Sequence, residues 1–182
     1  MTDDERSWEP EPISAEEFHQ PEAAANINRA PHDRAAGVVY KRALNTKRVI
    51  YSPLNPALDM PEPWHGAGST IVRWLFSEQP GTLEGLLRDR VFRFMQDVEL
   101  LPDASTGQTT QADIDIVLYI TEGCGMLTHR STPGSPVIAR PLRPCDAALV
   151  EAGTLYGIAN RSETVSLRLI LLGLGRVEPD GS

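Results

Sequence analysis

The sequence predicts an all-β domain, a sandwich or barrel of short strands, and three observations predict it. Runs rich in β-branched and aromatic residues recur at short intervals from Thr70 to Leu172. Turns containing Gly or Pro separate them, and no stretch sustains a helical period. No internal repeat is present.

Residues 1–36 carry nine acidic and three basic side chains and few aliphatic ones, so they read as an acidic N-terminal arm, extended and partly disordered. Ser14-x-x-Glu17 fits a capping box, which predicts a helical turn over Ser14–His19. Residues 37–176 are assigned to the barrel and 177–182 to a tail. Val38–Arg48 is ambiguous between strand and helix. The proline-punctuated stretch Ser52–Pro63 is expected to be extended.

Thr70–Phe76 (TIVRWLF) is the first convincing strand. Arg90–Leu101 alternates Val91, Arg93, Met95 and Asp97 with Phe92, Phe94, Gln96 and Val98, which predicts one long strand or two joined. Ile114–Thr121 is β-rich and ends at Glu122-Gly123-Cys124-Gly125. Met126–His129 and Val137–Arg140 flank a Ser-Thr-Pro-Gly-Ser-Pro turn, and Ala147–Val150 and Ser166–Leu172 complete the set.

Composition narrows the function. The chain has 182 residues, enough for one domain with a real core, and a net charge of −8 without a basic stripe. Nucleic acid and anionic membranes are therefore not expected partners. MTDDERSWEPEP has no apolar h-region, and no run reaches the length of a membrane span. Cys124 and Cys145 are too few for a disulfide framework and form no CxxC pair. A cytoplasmic protein is the plain expectation.

From Val98 to Leu172 the chain resembles the cupin superfamily, whose members are jelly-roll β-barrels. Glu99-Leu-Leu-Pro102-Asp-Ala-Ser-Thr-Gly107 and Ile116-Val-Leu-Tyr119-Ile-Thr-Glu122-Gly123-Cys-Gly125 match the opening and close of that family's first motif. Asp146-Ala-Ala-Leu-Val-Glu-Ala-Gly153-Thr-Leu-Tyr156-Gly-Ile-Ala-Asn160 matches the second. Upstream, His65-Gly66-Ala67-Gly68 followed by Arg73-Trp74-Leu75-Phe76 is similar to the first strand of one bacterial branch of single-domain cupins. The resemblance implies a single cupin-type barrel.

The resemblance also implies where a metal would sit, and there the chain departs from the pattern. The paired histidines fall on Thr109 and Gln111, the glutamate on Ile116, and the second-motif histidine on Tyr156. A hydroxyl, an amide, a branched aliphatic and a phenol make a poor divalent site. No metal and no cofactor is expected. A substitute site from Asp113, Asp115 and the distant His65 is the minority reading.

Thr109, Gln111 and Tyr156 are expected to converge inside the barrel, with Ile116 and Leu118 as apolar lining. They would either orient a ligand or satisfy one another in a filled core. Tyr156 is the best candidate for a hydrogen-bond donor or general acid, with Gln111 or Thr109 as the expected partner of its hydroxyl. His65, beside two glycines, would cap the mouth and is the second catalytic candidate. Arg73 would meet an acidic ligand group or solvent. The resemblance permits a metal-independent isomerase or cyclase acting on a small, largely apolar organic molecule. The alternatives are a non-catalytic sensor or interaction protein and, more weakly, a dioxygenase with an unconventional metal site. A homodimer is expected, because TIVRWLF would be hazardous on an exposed sheet edge.

Overall fold

A computed structural model describes residues 11–14, 17, 32–35, 38–41, 43, 46–51, 66–77 and 91–175. His65, Ser52–Pro63 and the tail after residue 175 lie outside the described residues. The elements are β1 (Ile13–Ser14), β2 (His32–Ala35), β3 (Val38–Lys41), β4 (Val49–Tyr51), β5 (Thr70–Ser77) and β6 (Phe92–Leu100). They continue as β7 (Ile114–Glu122), β8 (Gly125–Arg130), β9 (Ile138–Leu142), β10 (Ala147–Val150), β11 (Leu155–Asn160) and β12 (Leu167–Gly175).

Two sheets make the barrel. The larger has the order β1-β4-β5-β6-β12-β7-β10, and the smaller the order β11-β8-β9. The chain between β6 and β7 runs along the free edge of β11, bridging Ser105 to Ala159 and Thr109 to Tyr156. Ala67 in turn bridges Ser105 and so connects this run to the segment before β5. The two-residue period sends Val72, Val98, Leu100, Ile116, Leu118, Ile120, Leu167 and Leu169 into one core, which Leu127 and Ile158 close from the smaller sheet.

The arm is more integrated than its composition predicts. Ile13 and Ser14 pair in parallel with Val49 and Ile50 at the edge of the larger sheet. The capping box is formed: the Ser14 amide donates to the Glu17 carboxylate at 3.0 Å, and the Glu17 amide donates to Ser14 Oγ at 3.2 Å. The Ser14 amide, and the Ser14 hydroxyl donating to the same carboxylate at 3.1 Å, hold the Glu17 carboxyl below its ordinary pKa. β2 and β3 pair with each other across the expected boundary at residue 36. The ambiguous Val38–Arg48 run therefore begins as a strand. β5 lies between β4 and β6, and β4 pairs with its first three residues, Thr70–Val72.

Gly123 shows why the Glu-Gly-x-Gly turn is needed. Its φ is +76°, and a Cβ there would lie 3.0 Å from Leu167 Cα and closer still to the Ser166 carbonyl. Only glycine lets β7 turn into β8 against the start of β12.

The strongest polar tie is Asn160, which is fully buried at the end of β11. The two hydrogens of its Nδ2 are shared among the carbonyls of Leu100 at 3.1 Å, Leu101 at 3.0 Å and Val165 at 2.8 Å. Its Oδ1 accepts from the Ser162 amide at 3.0 Å. Asn160→Ala strands those buried groups and should cost about 3 kcal/mol, since each lost bond is worth ~1 kcal/mol and more when a buried partner is orphaned. In a chain of this size that is a drop in melting temperature of roughly 6 to 12 °C. Chemical denaturation that gives a loss below about 1 kcal/mol would show that the amide is not the clamp.

Candidate functional site

A cavity of about 260 Å³ lies between the two sheets. The larger sheet contributes the inward row Thr70, Val72 and Trp74 from β5, together with Phe94, Gln96 and Val98 from β6. Tyr51, Ile116 and Leu171 complete that side. The facing wall is Thr106, Thr109 and Gln111 from the run before β7, with Tyr156 and Ile158 from β11. Four of these side chains are aromatic, five aliphatic and five uncharged polar. None is Asp, Glu, His, Lys or Arg.

Thr109, Gln111, Ile116 and Tyr156 are thus brought together, as the two-residue period required. Local bonds explain it. The Thr109 amide donates to the Tyr156 carbonyl at 2.8 Å, and the Tyr156 amide returns a bond to the Thr109 carbonyl at 2.9 Å. The turn before β11 is held by the Gly153 amide on the Gln111 carbonyl at 2.7 Å. It is held again by the Ala152 amide on Asp115 Oδ1, also at 2.7 Å. Asp115 therefore supports the turn that delivers Tyr156.

Other expected site residues lie elsewhere. Leu118 is fully buried in the core and is not in the cavity wall. Arg73 faces away from the cavity, because its neighbours Val72 and Trp74 take the inward face. It is 7 % exposed and pairs with Asp97 at 3.4 Å, while Arg168 reaches the same carboxylate at 3.1 Å. His65 lies outside the described residues. Sequence reasoning missed Tyr51, Thr70, Trp74, Phe94, Gln96, Thr106, Val72, Val98, Ile158 and Leu171 as wall residues. Alternation in Thr70–Trp74 and Phe94–Val98, already visible in the sequence, was the signal for six of them.

The aromatic side of the wall is fixed by packing. Trp74 meets Phe94 edge to face with ring centroids 5.7 Å apart, and its Nε1 donates a long 3.4 Å bond to the Tyr51 hydroxyl. The Phe94 ring lies over Gly173, where a Cβ would fall 2.6 Å from Cδ1. A side chain at Gly173 would drive that ring toward the cavity.

Tyr156 is 6 % exposed. Contrary to expectation, neither Gln111 nor Thr109 bonds its hydroxyl, which has no hydrogen-bond partner among the described residues. Burial pushes its pKa up to about 12. Burial likewise pushes Tyr51 up to about 12, against the lowering effect of the Trp74 bond. Both phenols stay protonated at neutral pH. The Thr, Gln, Ile and Tyr set offers neither imidazole nor carboxylate, and its phenol is not available as phenolate, so it does not fit a divalent ion. Among the described residues no group of three His, Cys, Asp or Glu side chains is placed to hold one.

Solved structures share this architecture. A predicted oxalate decarboxylase from Thermotoga maritima superposes with a TM-score of 0.50 at 19 % identity, over 61 % of this chain and 84 % of its own. Peruvianin-I, a cysteine peptidase from Thevetia peruviana latex, does so with a TM-score of 0.50 at 19 % identity, over 69 % and 71 %. The Schizosaccharomyces pombe Cnp3 cupin domain aligns at 18 % identity over 59 % and 65 %, with a TM-score of 0.46. The chain has the cupin fold. At these identities the likeness concerns the fold alone. No protein-family model matches the sequence, and no curated protein does. Among the described residues no helix is long and apolar enough to cross a membrane.

The Tyr156 hydroxyl yields a test with two arms. At neutral pH, Tyr156→Phe removes a cavity-lining hydroxyl that makes no hydrogen bond to the described residues, so stability should change by less than about 1 kcal/mol. At high pH the sign is set by the raised pKa. The unfolded phenol releases its proton near 10.0 and the folded one near 12, so its stabilisation is full below pH 10 and is lost above it. The loss is up to about 1.4 kcal/mol per pH unit across that window. Urea unfolding from pH 9 to 12 should therefore show a flatter decline in the variant. Parallel curves would mean that the phenol is not desolvated.

Proposed function

We propose that this cupin barrel binds one small, uncharged, largely apolar organic molecule without a metal ion. The observation that carries this reading is the cavity wall, which joins aromatic and aliphatic surface to neutral hydrogen-bonding groups and, among the described residues, contains no charged side chain. A ligand ring can lie against Trp74 and Phe94. Gln96, Gln111 and Thr109 supply donors and acceptors that fix its orientation. The T. maritima relative is described as a predicted oxalate decarboxylase. Oxalate would enter this wall with two uncompensated charges, so that chemistry is not carried across.

A chemical role, if the barrel has one, is isomerisation or cyclisation of the bound molecule by positioning and hydrogen bonding, with Tyr156 as donor. One observation favours the second reading, a non-catalytic binding protein or sensor. Among the described residues the titratable groups of the wall are two phenols with pKa values pushed up to about 12, and no acid–base pair among them is poised near neutrality.

Benzyl alcohol and benzoate have similar size and differ in charge. The alcohol should quench Trp74 fluorescence saturably, and benzoate should bind at least tenfold more weakly, about 1.4 kcal/mol. Trp74→Phe serves as the spectroscopic control. Equal affinity for the two, or tighter binding of benzoate, would overturn the neutral-ligand reading. Separately, protein purified without chelators should contain no stoichiometric iron, manganese, nickel or zinc by elemental analysis. About one ion per chain would contradict metal independence.

A further inference from the structure

Two polar side chains deep in the aromatic cavity, Gln96 and Tyr156, make no side-chain hydrogen bond to the described residues. They are 9 % and 6 % exposed and stand on opposite walls, Gln96 on β6 and Tyr156 on β11. Their polar neighbours differ. Thr106 is committed, because its hydroxyl donates to the Gly107 carbonyl and accepts from the Ile158 amide, both at 3.0 Å. Thr70 Oγ1 is sealed from the cavity. Neither amide atom of Gln96 is sealed in that way, so an occupant of the cavity can reach both. Buried polar side chains are nearly always paired, and an accessible amide without a partner calls for one.

The register sets rings beside that amide. Gln96 lies opposite Trp74 of β5 and Leu171 of β12, and Phe94 precedes it by two on the same face of β6. Whatever bonds to Gln96 therefore has aromatic surface at its side. The space of about 260 Å³ lies below the roughly 300–1,000 Å³ of drug-sized pockets, so the occupant is small.

A primary carboxamide presents one acceptor and one donor side by side in one plane. A ring nitrogen that only accepts serves Nε2 and leaves Oε1 empty. A carboxylate does the same and brings a charge into an uncharged wall. A lactam serves both, because its N–H and C=O are cis and coplanar and meet the amide in two straight bonds. The lactam oxygen keeps a second lone pair, to which the Tyr156 hydroxyl can donate from the opposite wall. Trp74 and Phe94 then cover the ring that closes the lactam. We propose that the cavity binds a small aromatic lactam, its cis amide read by Gln96 and its carbonyl accepting also from Tyr156. This rests on the neutral-ligand reading above and names the ligand class within it.

The test is a calorimetric titration of the full chain with 2-quinolinone, N-methyl-2-quinolinone and quinoline. The first carries the complete lactam, the second lacks its N–H, and the third has only the rings and their nitrogen. 2-Quinolinone should bind at least about tenfold more tightly than either of the others. Gln96→Met keeps the length of the side chain and should bring the three within about threefold of one another. Tyr156→Phe should weaken 2-quinolinone by about tenfold. Equal binding of the three probes overturns the lactam proposal and leaves the neutral-ligand reading in place. A preference for 2-quinolinone that survives Gln96→Met also overturns it, since the N-methyl group is then merely too large. So does an unchanged affinity in Tyr156→Phe. Binding of no probe overturns it as well, and the neutral-ligand reading is then decided by benzyl alcohol. Should Gln96→Met not fold, the side-chain NH₂ signals of Gln96 in the ¹⁵N-labelled wild type decide. They should shift saturably with 2-quinolinone, and signals that stay in place overturn the proposal.

Discussion

The geometry of the cavity depends on how β11 is held, and the holding group is the buried amide of Asn160. Its two amide hydrogens reach three carbonyls, at the close of β6 and in the loop before β12, so one side chain joins the smaller sheet to the larger. The backbone adds a fourth tie, from the Asn160 amide to the Ala104 carbonyl at 2.8 Å. From that anchor the run 104–109 follows β11 back along its free edge. The position of Thr109 opposite Tyr156 is then a consequence of register rather than of any attraction between the two side chains. Buried donors of this kind specify one arrangement, because any slip leaves several carbonyls unpaired.

Charge is sorted across the larger sheet by the same two-residue period. On β5 and β6 the inward series ends in Trp74 and Gln96, and the outward series places Arg73 beside Asp97. Arg168 on β12 completes the outer group. A buried cation paired with a carboxylate is tolerable, whereas a lone one in the aromatic cavity is not. The described wall of the aromatic cavity is uncharged because Arg73, Asp97 and Arg168 take the outward phase. A one-residue slip in β5 would turn Arg73 into the cavity and Trp74 out of it.

Much of the fold was legible in the sequence, because alternation and turn chemistry were strong where strands are half-buried. β5, β6, β7 and β10 lie where the sequence placed them. β11 was not recognised as a strand, although the motif containing it was, because Gly157 and Ala159 take every second position and carry no β preference. β1 and the pairing of β2 with β3 were also missed, since two to four residues give no measurable period. In the site, the motif alignment found Thr109, Gln111, Ile116 and Tyr156, which all line the cavity. It misassigned Arg73, whose phase was readable from Val72 and Trp74, and Leu118, which lies deeper in the core. The absent bond at the Tyr156 hydroxyl was not legible at all. Register brings two backbones together, but whether a side-chain oxygen reaches its neighbour depends on rotamers that no sequence pattern encodes.

The uncharged described wall favours some kinds of recognition over others. Electrostatic stabilisation of a developing charge is usually the largest catalytic contribution, and it needs preorganised charges or strong dipoles aimed at that atom. Here the aimed groups are uncharged: two amides, several hydroxyls and two phenols held protonated. A phenol whose pKa is pushed up to about 12 is a poor proton donor in the full sense, yet it remains a good hydrogen-bond donor to an oxygen that gains partial charge. Its hydroxyl is unengaged by the described residues, so it requires no bond to be broken before it serves a ligand. Reactions that proceed by folding or rearranging a bound molecule, with little net charge formed, suit such a wall. The same features that exclude a strong acid–base mechanism favour recognition. Aromatic rings and uncharged amides discriminate by shape and hydrogen-bond pattern, and they do so whether or not chemistry follows.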